Sequence, residues 1–86
     1  MSLLSRWFGP KYNDGQLLAY AQTAVAEDPL VSGVGNVMIN SERGVITITG
    51  RVQRTSEKDR IEGAIRSALR ATGIKFERIV NDLQVG

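Results

Sequence analysis

Val45-Ile46-Thr47-Ile48-Thr49-Gly50-Arg51-Val52 is the stretch on which the fold turns. Six of its eight residues are β-branched, and such side chains suit a pleated surface. Ile46, Ile48 and Val52 fall on one side of the strand and Thr47, Thr49 and Arg51 on the other, a period of two. One face is apolar and one polar, so the sheet is expected to be covered on one side only. Gly50 lies on the apolar side, where a missing side chain lets a helix backbone come close or marks a bulge.

Reading toward the N-terminus, Ser41-Glu42-Arg43-Gly44 is a turn closing on glycine. In Val34–Asn40, Val37 and Ile39 alternate with Asn36, Met38 and Asn40, which predicts a strand pairing antiparallel with 45–52. Asn13-Asp14 offers a cap for a helix over Gln16–Glu27, with Leu17, Ala21, Ala24 and Val25 on one face. Glu27-Asp28-Pro29 stops that helix, because the residue before proline avoids helical angles.

Reading toward the C-terminus, Thr55 and Ser56 can cap a second helix, with Glu57, Asp59 and Glu62 near its positive end. Ile61, Ala64, Ile65, Ala68 and Leu69 form its apolar stripe, and Gly73 follows as a C′ glycine. Phe76–Val85 reads as a third strand, with Ile79, Leu83 and Val85 alternating with Val80, Asp82 and Gln84, and Asn81 on the apolar side. The second helix is a crossover, so the third strand should run parallel to the second. The expectation is an α/β (α+β) two-layer sandwich in the order α-β-β-α-β. Its mixed three-stranded sheet has both helices on one face and 45–52 at the centre. Residues 1–12 form an N-terminal segment and 13–86 the domain. The bare edge strands invite self-association.

The chain has 86 residues with no Cys and no His. That size holds one small domain. The composition excludes disulfides, thiolate zinc sites, cysteine nucleophiles and histidine bases. No cofactor or metal is expected. Residues 1–50 carry three Lys/Arg against four Asp/Glu, and residues 51–86 carry eight against five. The positive half suits an anionic phospholipid surface, nucleic acid or an acidic protein, or is a solvated surface. Leu3-Leu4 and Trp7-Phe8 are split by Ser5 and Arg6, so no signal-peptide core forms. If the natural start is Met1, that points to a cytoplasmic protein.

Asp14, Asp28-Pro29, Val37-x-Ile39, Gly44-x-Ile46-x-Ile48-x-Gly50-x-Val52, Gly73-Ile74 and Ile79-x-Asn81-x-Leu83-x-Val85 together resemble the BON (bacterial OsmY and nodulation) domain family, over residues 13–86. Two additional residues separate Gly73-Ile74 from Ile79, a departure from the family pattern. The resemblance implies the same α-β-β-α-β sandwich and a non-catalytic domain. It also implies binding of phospholipid membranes or other hydrophobic partners, often in cell-envelope or stress contexts. With one copy, the chain is similar to a smaller cytoplasmic group, some of whose members are linked to potassium, so ion (potassium) binding is a further alternative that the resemblance implies.

Two function classes follow. In the first, the domain docks peripherally on acidic membrane, at the inner membrane in a cell. Trp7 and Phe8 would be the apolar wedge, with Arg6, Lys11, Arg60, Arg66 and Arg70 as the basic contacts. In the second, it is a protein-interaction or homo-oligomeric module using an edge strand or the open sheet face around Met38, Thr47, Thr49 and Arg51. Gly44, Gly50 and Gly73 are structural glycines. The scattered carboxylates Asp28, Asp59 and Asp82 would support catalysis only by converging in a cleft. The basic residues are interrupted by acids and the strands carry no aromatic except Phe76 near a strand start, poor material for nucleic acid.

Overall fold

The computed structural model describes residues 12–31 and 36–86. Within them the chain forms α1 (Asp14–Glu27), β1 (Asn36–Glu42), β2 (Val45–Val52), α2 (Thr55–Thr72) and β3 (Arg78–Val85). The order is the expected α-β-β-α-β.

Helix α1 starts where the Asn13 side chain accepts a hydrogen bond from the Gln16 N–H at 3.1 Å. It ends at Asp28, whose backbone is already extended ahead of Pro29. Helix α2 starts differently from the expectation. Thr55 and Ser56 are its first residues, not its cap. The Glu57 carboxylate instead reaches back to accept from the N–H groups of Gln53 (3.1 Å) and Arg54 (2.9 Å), satisfying donors the helix leaves unpaired. Gly73 ends α2 in the left-handed conformation, φ 73°. Its N–H donates to the Leu69 and Arg70 carbonyls.

The sheet order is β1-β2-β3, so β2 is central. β1 runs antiparallel to β2 with Glu42 opposite Val45. The ladder therefore extends two residues past the expected end at Asn40. A two-residue turn, Arg43-Gly44, closes it with φ of 52° and 80°, the hand that matches the twist of a hairpin. β3 is parallel to β2 and begins at Arg78 opposite Val45, two residues later than Phe76. The additional residues after Gly73 lie in the connection 74–77.

Both helices cover the face that carries Ile46, Ile48 and Val52. These three are fully or almost fully buried, with Leu17 and Ala21 of α1, Ile61, Ile65 and Leu69 of α2, Leu83 of β3, and Val31. Each such Leu or Ile contributes about 1.5–3 kcal/mol by leaving water. Val85 shares the register of Val52 but is 45% exposed, because the sheet ends there. Asn81 points inward and is satisfied: its Nδ2 donates to the Lys58 carbonyl at 2.9 Å, and its Oδ1 accepts from the Leu83 N–H at 3.3 Å.

Gly50 corrects one expectation. The backbone that approaches it belongs to β1, not to a helix. A Cβ on Gly50 would sit 1.7 Å from the Asn36 carbonyl oxygen, and its φ is 124°. Only glycine fits that space and that conformation.

Candidate functional site

One end of the molecule is tied together by Asp14. From the first turn of α1 its carboxylate accepts from Ser41 Oγ (2.8 Å), the Arg43 N–H (2.8 Å) and the Gly44 N–H (2.9 Å). The carbonyl of Gly44 accepts from the Glu77 N–H at 2.8 Å. The Tyr12 ring lies over Gly44, where an added Cβ would meet it at 2.5 Å. The Tyr12 hydroxyl donates to the Glu77 carboxylate, and Lys75 Nζ stands 5.9 Å from the ring centre. The hydrogen bond to Glu77 pushes the Tyr12 hydroxyl up. The Gly44 N–H first, then Ser41 and Arg43, hold the Asp14 carboxyl below the ordinary carboxylate range. This corner joins three elements through hydrogen bonds, so it is a latch. In the sequence, Asp14 reads as a capping residue. Its role shows only once the hairpin folds back on it.

The latch sets a pH dependence. Asp14 has a lowered folded value. Its contribution is present above the unfolded carboxylate value of about 3.9 and is lost as pH falls through the folded one. Asp14→Asn is expected to lower the urea midpoint at neutral pH. Its curve should then merge with that of the parent protein as pH drops toward about 2. Parallel curves that never converge would show that the carboxylate charge is not what holds the turn.

Two of the three basic residues singled out on α2 are paired with carboxylates. Arg60 turns to Asp28 at the end of α1, Nε to Oδ2 3.0 Å. That hydrogen bond, then the Leu30 N–H, lowers the Asp28 carboxyl. Arg66 pairs with Glu62 one turn back at 2.8 Å. Arg70, exposed in the last turn, enters no ion pair among the described residues. Arg6, Trp7, Phe8 and Lys11 lie outside the described residues. Gly44, Gly50 and Gly73 all serve backbone geometry at positive φ.

A groove of about 730 Å³ runs along α2 from Ser56 to Ser67, lined by Asp28, Ser56, Asp59, Arg60, Gly63, Ala64 and Ser67. Asp28 and Asp59, expected to stay apart, share it. Asp28 is engaged by Arg60 and held ionised, which makes it a poor proton donor at neutral pH. Among the described residues, no three His, Cys, Asp or Glu side chains gather to hold a metal ion. No helix among them is long and apolar enough to cross a membrane.

The sheet face away from the helices is uncovered by any described residue. Its cross-strand rows are Asn36–Arg51–Gln84, Met38–Thr49–Asp82, Asn40–Thr47–Val80 and Glu42–Val45–Arg78. Met38 is 70% exposed. It stands beside β-branched Thr49, with half-buried Thr47 and Val80 in the next row. The outer edges of β1 and β3 carry no further strand among the described residues. No model of a known protein family matches this chain, and no curated protein matches it. The likeness to the BON family therefore rests on the residues quoted for it.

Proposed function

We propose that this protein is a non-catalytic, self-associating interaction module that works through the uncovered side and the edges of its sheet. The observation that carries this reading is the one-sided layering. Both helices cover one face, while the other presents Met38 at 70% exposure on β1, and no described strand pairs with the outer edges of β1 and β3. Unpaired strand edges template pairing with another chain, and Met38 adds an exposed apolar side chain to the open face beside them. Sedimentation velocity tests the reading. The weight-average sedimentation coefficient should rise between about 10 μM and about 1 mM, the range of weak protein complexes. A constant monomer value across that range overturns it.

Peripheral binding to acidic membrane keeps one supporting observation. The exposed side of α1 from Gly15 to Ala26 carries no charge. Tyr20 is 37% exposed there, and Leu30 just beyond is 64% exposed. Lys58 and Arg70 of α2 enter no ion pair among the described residues and would be its cations. Co-sedimentation with acidic but not neutral vesicles, lost on adding salt, is the expected result. Equal recovery with both lipids ends this second reading. The BON likeness is compatible with either reading.

A further inference from the structure

β3 is an edge strand, and its outward face spells its own partner. Gly86 donates its N–H to the Val52 carbonyl. Alternation along the ladder then turns the even-numbered residues of β3 toward β2 and the N–H and C=O of Ile79 and Asn81 toward the open edge. Farther along, the Leu83 N–H is taken by Asn81 Oδ1, which closes that part of the edge. Among the described residues, the stretch left open is 78–82. On the uncovered face it shows Arg78, Val80 and Asp82: a cation, an apolar residue and an anion, balanced about Val80.

We propose that β3 pairs antiparallel with β3 of a second copy of this chain, on a two-fold axis through Val80. This rests on the self-association reading and names its surface. In that register Arg78 faces Asp82 of the second copy twice over, and Val80 faces Val80. Ile79 and Asn81 exchange four backbone hydrogen bonds between the copies. The charged pairs fall at positions without backbone hydrogen bonds, where side chains stand closest. Within one chain, Arg78 and Asp82 are about 13 Å apart along the strand, and neither enters an ion pair among the described residues. Slipping the pairing one way sets Val80 against Asp82 or Asp82 against itself. Slipping it the other way sets Arg78 against Val80. Only one register satisfies both charges, and it joins two sheets into one of six strands.

Charge exchange tests the register. Arg78→Asp and Asp82→Arg, made singly, place like charges opposite each other. Each should weaken dimerisation about tenfold or more, read by sedimentation equilibrium at low salt. The double exchange restores the pairs and should return the constant to within about threefold of the parent. Both side chains are exposed, so thermal melts of the three variants should match the parent and serve as the folding control. A dimer untouched by the single exchanges overturns the edge register while leaving self-association standing; if Met38→Glu then dissociates it, the open face is the contact. A parent protein that stays monomeric removes both proposals.

Discussion

Gly50→Ala should leave the protein without a cooperative thermal transition at the temperature where the parent melts. The added methyl would fall 1.7 Å from the Asn36 carbonyl oxygen, 2.8 Å from its carbon and 3.2 Å from Val37 Cα, all of them backbone atoms. None can swing aside as a side-chain tip could. The backbone is also at φ 124°, outside the regions open to L-residues. Relief requires β1 to separate from β2 at Val37–Gly50, which breaks the antiparallel ladder at that end. Strain and overpacking together should cost about 4 kcal/mol or more, against a total of roughly 5–10 kcal/mol for a domain of this size. Gly63 is the internal control. An added Cβ there meets nothing within 4 Å in the middle of α2, so Gly63→Ala should gain about 1 kcal/mol from helix propensity alone. A Gly50→Ala melt within a few degrees of the parent would remove the close approach of β1 as the reason for glycine.

Ile65→Ala should lower stability by about 2–5 kcal/mol, roughly 10–30 °C in melting temperature for a domain this size. Ile65 is fully buried at the middle of α2, with Ile61 one turn before it and Leu69 one turn after. Alanine is a better helix former than isoleucine. The substitution therefore strengthens the isolated helix while emptying its packed face. Any loss reports on tertiary packing, and chemical denaturation with an unchanged m-value is the measurement. A shift under about 0.5 kcal/mol, the range of surface changes, would mean that α2 does not seat on the sheet as described.

The fold was largely legible because its determinants are local. Alternation in 45–52 marks the central strand. The stripe Ile61, Ile65 and Leu69 marks a helix that must cover it. Pro29 and Gly73 end the two helices where their backbone chemistry requires. The misses lie at element ends, where neighbouring residues compete to satisfy the same backbone groups. Thr55 and Ser56 looked like caps, but Glu57 does that work. Asn40 looked like the end of the first strand, yet the positive φ of Arg43 and Gly44 allows a tighter turn two residues on.

The surface was legible only in part. Arg60, Arg66 and Arg70 read as one basic set, since spacing along a helix says nothing about which carboxylate another element brings near. Asp28, a helix stop in the sequence, takes Arg60 from α2. Glu62 and Arg66, four residues apart on one helix, pair as helical spacing alone allows.

From residue order alone come the element types, their sequence and the side of each that must leave water. These depend on backbone geometry, which repeats every two residues or every 3.6 and needs no knowledge of the rest of the chain. Only the folded arrangement decided which backbone crowds Gly50, which cations keep their charge free, and that Arg78 and Asp82 lie along an open edge. Those outcomes depend on distances between segments far apart in the chain, and such distances exist only once the apolar faces have closed on one another.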